Sequence, residues 1–219
     1  MLILASASPR RQELLRNARI SFAVEPANID ETPVADETPP DCAERLAREK
    51  ALTVWRSRPQ DVVLGADTIV VVDDTMLGKP LDEEDAARML RLLSGREHRV
   101  ITGVCLVSSM IADGIAGAAQ FHEKSPLPAK PAGNGAPSSA RPLESFRSAS
   151  ETTLVTFDQL SEKDIRDYVA TGEPMDKAGA YAIQGIASRW IPRIEGDYSN
   201  VVGLPIALVY RMLRERMSA

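Results

Sequence analysis

The chain has 219 residues, 44% of them hydrophobic, and a formal net charge of −5. That is apolar material enough for a substantial core in one large domain or two small lobes, while the acidic balance argues against general nucleic-acid binding, which needs a basic face. Two cysteines (Cys42, Cys105) and two histidines (His98, His122) are too few for a disulfide framework or a zinc cluster, and both cysteines read as buried small hydrophobes.

No stretch approaches the roughly 20 apolar residues of a membrane span, and the N-terminus lacks the pattern of a cleaved leader, so the reading is a soluble cytoplasmic protein. LILAS reads as a strand that runs into the helix PRRQELLRNA, with Arg11, Leu14, Leu15 and Ala18 on one face. Ser8 suits the N-cap and Pro9 the first helical position. Arg10 and Arg11 then stand beside free backbone N–H groups, where the helix dipole places about half a positive charge and cations are mildly repelled. An anion would resolve that conflict: N–H groups with guanidinium forks make a phosphate or carboxylate site.

ISFAV reads as a second strand, and TPPDCAERLAREKALTVW as a helix with Ala43, Leu46, Ala47, Ala51 and Val54 on its apolar stripe. Lys50 projects into the middle of that stripe, which fits either a stem that snorkels its ammonium out to water or a partnered anion. DVVLGADTIVVVDD is β-rich and reads as broken at Gly65-Ala66-Asp67. A turn follows, then the helix LDEEDAARMLRLLSG ending at Gly95, then the strand HRVITGVCLVS. From residue 109 to 148 the composition shifts to Gly, Ala, Pro, Ser and Lys without periodicity, as in an inserted loop. ETTLVTFDQL reads as a strand, SEKDIRDYVATG as a helix, GEPMDKAGAYAIQG as turn-rich, SRWIPRIEG as a strand, and LPIALVYRMLRERM as a closing helix with Ile206, Val209, Leu213 and Met217 on one face. Interleaved helices and strands predict an α/β fold with a mixed sheet, in two lobes with a cleft between them.

There is no GxxxxGK[ST] and no GxGxxG, so any phosphate chemistry uses another scaffold. Asp67 is an acid inside an apolar strand; it fits a carboxylate accepting backbone N–H bonds at a strand break, or a metal-binding carboxylate or general base at a cleft. Gly65 beside it leaves room for another backbone or a ligand. Lys79 in GKPLDEED stands at a helix entrance, Glu31 in NIDET is either a solvated loop acid or a magnesium ligand, and Gln184 offers a donor and an acceptor to a base edge. Four cations in odd places with two candidate carboxylates fit a polyphosphate with Mg²⁺.

ASASPRRQELL, LAREKA, VLGADT, GKPLDEEDA, LSGREHRVITGV, EPMDKAGAYAIQG and GDYSNVVGLP, in this order, resemble the Maf family of nucleoside triphosphate pyrophosphatases. The resemblance covers the chain outside about residues 110–147. It implies hydrolysis of a nucleoside triphosphate to the monophosphate and pyrophosphate with a divalent cation (Mg²⁺ or Mn²⁺). It also implies an elongated two-lobed α/β body with a central cleft, similar to the inosine triphosphatases, in a single domain spanning 1–219 that is often a homodimer. The family's catalytic acid falls on Asp67, its phosphate-binding residues on Ser8, Arg10, Arg11, Lys50 and Lys79, and its further acid on Glu31, which with Asp67 would hold the metal. Arg10, Thr68 and Gln184 resemble the residues that mark the branch preferring dTTP and UTP. The alternatives are a non-catalytic nucleotide-binding regulator of cell division, a pyrophosphatase for another nucleotide, and a hydrolase that cleaves the terminal phosphate.

Overall fold

The structure, a computed structural model, describes residues 1–109 and 144–217. In chain order the elements are β1 (Leu2–Leu4), α1 (Pro9–Asn17), β2 (Ala23–Val24), α2 (Pro39–Trp55), β3 (Val62–Val72), β4 (Thr75–Leu77), α3 (Glu83–Leu93), β5 (Glu97–Ser109), β6 (Glu144–Thr156), α4 (Glu162–Val169), β7 (Arg193–Glu195), α5 (Tyr198–Val202) and α6 (Ile206–Met217). The seven strands form one sheet in the order β2-β1-β3-β5-β6-β7, with β4 paired to β3. β1 is parallel to β2 and β3, and the remaining pairings are antiparallel, so the expected mixed α/β sheet is present. None of the helices among the described residues is long and apolar enough to cross a membrane.

Local chemistry starts the helices where the sequence marks them. The Ser8 hydroxyl caps α1 ahead of Pro9, Thr38 caps α2 ahead of two prolines, and Ser161 with Asp164 forms a capping box on α4. One face of the sheet is covered by α2 and the other by α1 and α6. Ile3, Val63 and Cys105 pack toward Ala47 and Ala51, whereas their neighbours Leu4, Leu64 and Val104 pack toward Leu15, Leu204 and Val209. A third cluster joins α3 and α4 to the chain around Tyr181 and Trp190.

Several expectations need correction. β3 runs unbroken through Gly65, Ala66 and Asp67, each in register with β5. Of the two readings of Gly65, close approach of another backbone is the one found: a Cβ there would sit 2.0 Å from the Ala47 carbonyl oxygen, and one on Gly103, in β5, 2.3 Å from that of Ala43. Side chains at either position would drive α2 off the sheet. The turn after β3 is a hairpin into β4. Of ISFAV only Ala23 and Val24 pair, and of SRWIPRIEG only Arg193–Glu195 is strand, the preceding residues forming a 3-10 turn. α6 buries Leu208, Val209 and Met212, leaving Ile206 and Leu213 on the flanks, because α6 turns this stripe toward Leu4, Leu15 and Leu64. β5 and β6 also claim Ser109 and residues 144–148 from the stretch that reads as an insertion; the remainder of that stretch, 110–143, lies outside the described residues.

Both cysteines are buried and free, and burial pushes each thiol up to about 11. His98 is 2% exposed, packed edge-on against Phe157 and Tyr181, with Nε2 2.8 Å from the Tyr181 hydroxyl. Burial holds its imidazole down to about 4, from an ordinary 6.5. Below 6.5 the unfolded chain therefore takes up a proton that the folded chain refuses, and stability drains away as pH falls toward 4. We predict a loss from this group of up to about 3 kcal/mol across that window. Urea unfolding at several pH values should show it as a steeper acid dependence in the wild type than in His98→Asn; parallel curves would refute it.

Candidate active site

β3 carries different partners along one edge. β1 pairs with it as far as Leu64, and β4 begins only at Val70. Between them, among the described residues, no strand covers the edge of Gly65–Ile69. A cleft of about 740 Å³ opens there, lined by residues of the β1–α1 turn, Glu31, α2, β3, Lys79, and the segments around Asp176–Gln184 and Gly203.

On the α2 side of the strand, Lys50 and Asp67 meet. Lys50 is 8% exposed and Asp67 8% exposed, so each would be costly to bury alone. Lys50 Nζ lies 2.5 Å from Asp67 Oδ1 and 2.6 Å from Glu31 Oε1. The contact exists because Ala43, Ala47 and Ala51, all 0% exposed, let α2 lie against the two glycines. Lys50 thus points inward to partnered anions. Lys79 is more exposed, with Nζ 3.7 Å from Glu31 Oε2. Burial pushes the Glu31 carboxyl up, but its contacts with Lys50 and the charges of Lys79 and Arg11 outweigh this and leave it below the ordinary value.

Glu31 sits in a stretch with no helix or strand, yet two side-chain devices shape it. The Asp30 carboxylate accepts from Thr32 N and Oγ1 at 2.9 and 2.6 Å. Arg45, from α2, grips Glu37 with Nε and Nη2 at 2.7 and 2.9 Å, and Nη2 also donates to the Thr32 carbonyl at 3.3 Å. These hydrogen bonds from Arg45 hold the Glu37 carboxyl down at about 2.

On the opposite face, the paired arginines of SPRR have different surroundings. Arg11 Nε donates to Gly203 O at 2.8 Å, Nη1 to Ala66 O at 2.8 Å and to Ser6 Oγ at 3.2 Å, and Nη2 to Thr68 Oγ1 at 3.1 Å. Four of its five N–H donors are therefore used inside the protein. Among the described residues Arg10 has a single exposed contact, Nη1 to Asp176 Oδ2 at 3.3 Å, worth little in water. Thr68 Oγ1 also lies 3.0 Å from Thr102 Oγ1, which donates its own proton to Asn200 O at 3.1 Å. The Thr68 hydroxyl is thus committed within the protein. Ser8 spends its hydroxyl on the α1 cap, accepting from Arg11 N at 3.4 Å. Gln184 is exposed on the cleft wall, and among the described residues its carboxamide has no hydrogen-bond partner.

All the residues singled out from the sequence, Ser8, Arg10, Arg11, Glu31, Lys50, Asp67, Thr68, Lys79 and Gln184, therefore line one cleft. Three others were missed. Ser6 accepts from Arg11 and from Ser8 N, Asp176 faces Arg10, and Lys177 Nζ donates to Glu173 O at 2.6 Å and pairs with Asp176. Lys177 stands in DKAGAYAIQG, where its charge among small residues was the available signal; Ser6 has none apart from its place in ASAS. No cluster of three or more His, Cys, Asp or Glu able to hold a metal occurs among the described residues. Glu31 and Asp67 nevertheless converge on one ammonium, and hard carboxylate oxygens suit Mg²⁺ or Mn²⁺ when a substrate's phosphates supply further oxygens.

The fold is thus a mixed α/β sheet whose cleft has cations at its rim and two carboxylates inside it, and it carries no P-loop sequence. The model of the Maf-like proteins matches residues 1–131 and 134–216, through most of the stretch read as an insertion, and this chain belongs to that family. It is 52% identical over 213 residues to the dTTP/UTP pyrophosphatase of Koribacter versatilis, covering 97% of this chain and 93% of the relative. It is 44% identical to the protein of the same name from a Geobacillus species (97% and 96% covered) and 43% identical to that of Thermococcus gammatolerans (97% and 95%).

The two arginines should separate in the absence of any ligand. Arg11→Lys loses the fork that reaches Ala66, Gly203, Ser6 and Thr68 together, and should cost about 2 kcal/mol or more in urea unfolding. Arg10→Lys should change stability by less than about 0.5 kcal/mol. Equal losses would contradict the division.

Proposed function

We propose that this chain is a nucleoside triphosphate pyrophosphatase that hydrolyses dTTP and UTP to the monophosphate and pyrophosphate, clearing nucleotide pools. The observation that carries the reading is the buried Lys50 ammonium bridging Asp67 and Glu31 on the floor of a cleft whose mouth holds Arg10 and Lys79. The names of the relatives supply the substrate class.

In this reading the triphosphate enters with its charge facing Arg10, Lys79 and Lys50, and the one spare N–H of Arg11. Asp67, fixed by Lys50 on a rigid central strand, orients a water and accepts its proton as the oxygen attacks the α-phosphorus. The bond to the oxygen bridging the α- and β-phosphorus breaks, and its electron pair leaves with pyrophosphate. Glu31 and Asp67 would hold Mg²⁺ or Mn²⁺. Such an ion, when bound, neutralises phosphate charge and polarises the phosphoryl group. Gln184, with its free carboxamide, reads the base edge of thymine or uracil, which presents an adjacent donor and acceptor. Thr68 acts through Arg11 and by bulk, its hydroxyl being engaged elsewhere. The family resemblance further suggests a two-lobed, inosine triphosphatase-like body, a homodimer, and a cytoplasmic site of action, where free triphosphates are spent.

Asp67→Asn should keep the fold and lower kcat by on the order of 10²-fold or more, because the amide cannot take the proton. Turnover within a few-fold of wild type would remove Asp67 from the mechanism. Incubation with dTTP or UTP and Mg²⁺ should give monophosphate and pyrophosphate in equal amounts, and EDTA should stop it. Orthophosphate released without pyrophosphate would point to the terminal phosphate as the target instead.

A further inference from the structure

Gln184 is exposed and, among the described residues, without a side-chain tether, an unusual situation for a residue that must discriminate between bases. A free carboxamide on a loose loop would satisfy many partners. Its backbone, however, is held on both sides. Residues 182–185 form a turn closed by Gly185 N donating to Ala182 O at 3.1 Å. Ala182 N, two residues before Gln184, donates to the Tyr168 hydroxyl at 3.1 Å. That hydroxyl donates in turn to Glu173 Oε1 at 2.8 Å, and the same carboxylate accepts from Ile186 N, two residues after Gln184, at 3.1 Å.

The result is a closed relay: Ala182 N–H to Tyr168 O–H to the Glu173 carboxylate, which is reached from the other side by Ile186 N–H. Each donor in it has an acceptor. Its base is rigid. Tyr168 is 0% exposed, lies on α4, and packs edge-on against Trp190 at 5.4 Å between ring centroids. Burial, with the carboxylate beside it, pushes the Tyr168 hydroxyl well above its ordinary value, so it stays protonated and keeps donating. Gly185 is part of the fit, since a Cβ there would stand 2.2 Å from Glu173 Oε1. Ile183, within the turn, is 9% exposed and anchored in the core.

We infer that Tyr168 and Glu173 are positioning residues for base selection: they fix the Ala182–Ile186 backbone so that the Gln184 carboxamide meets the pyrimidine edge in one orientation. This deepens the proposed dTTP/UTP reading and rests on it. A site built to pair with one polar edge discriminates by leaving the wrong partner's groups unmatched, and that penalty vanishes once the reader can swing away. Neither residue need touch the substrate, so loosening the relay should spare the chemistry at Asp67.

The test compares specificity constants for dTTP and dGTP in the wild type, Gln184→Ala, Tyr168→Phe and Gly185→Ala. Tyr168→Phe keeps the ring on Trp190 and deletes the hydroxyl; Gly185→Ala leaves both relay residues and displaces the carboxylate, the movable end of a side chain. Each should lower the dTTP:dGTP ratio roughly tenfold, through a higher KM for dTTP with kcat within about twofold. Adding Tyr168→Phe to Gln184→Ala should produce no further loss of selectivity, because both act through one carboxamide. Should Tyr168→Phe fail to fold, Gly185→Ala decides alone. A selective wild type whose ratio survives in the folded variants, or losses that add in the double variant, would overturn the inference alone. A wild type with equal specificity constants for the two triphosphates would overturn the functional reading, and this inference with it.

Discussion

A lysine and an aspartate placed inside an apolar interface are tolerable only if each finds the other. Lys50 would be expensive between Leu46 and Val54 without the Asp67 carboxylate, and Asp67 equally so in the middle of a central strand. Their contact needs the backbone of α2 to lie nearly on the sheet. Gly65 and Gly103, on neighbouring strands, and the alanines opposite them remove the side chains that would hold it away. Packing between helix and sheet therefore sets the distance on which the candidate chemistry depends, and Glu31 is drawn into the same contact by the remaining donors of the ammonium.

The cleft opens where β3 has neither β1 nor β4 beside it, which among the described residues leaves that edge of a central strand without a ladder partner. Arg11 meets that need. Its guanidinium satisfies the Ala66 carbonyl and ties it to Gly203, closing the ring between β3, α1 and the end of α5. The conflict of a cation at a helix N-terminus is resolved here by carbonyl oxygens of the protein itself. Arg10, one residue earlier, donates through Nη1 to the exposed Asp176 carboxylate rather than to the backbone of β3.

Loop residues in the cleft share a common solution to mobility. Glu31 is carried by a chain segment pinned through Arg45 to α2, and Gln184 by a turn pinned through Tyr168 and Glu173 to α4. In both cases a side chain from a regular helix supplies hydrogen bonds that a strand or helix would otherwise give the loop backbone. Among the described residues the Gln184 carboxamide is left without a partner while its backbone is held, and the Glu31 carboxylate is left to meet Lys50 and Lys79.

The sequence by itself determined the α/β pattern, the helix starts and the candidate residues of the cleft, because periodicity, caps and misplaced charges are local signals. Ser8-Pro9 marks a helix entrance wherever it occurs, and a lysine on an apolar stripe is anomalous before any partner is known. Only the tertiary structure decided that β3 continues through Asp67, that the backbone of α2 lies against Gly65 and Gly103, and that Arg11 and Arg10 have different partners. Those outcomes depend on groups far apart in the chain: Ala66 and Gly203 for Arg11, Ala43 and Ala47 for the glycines, Thr102 for Thr68. Hydrogen bonds and close packing are made in space between such groups, and neither spacing nor composition encodes which of them will meet.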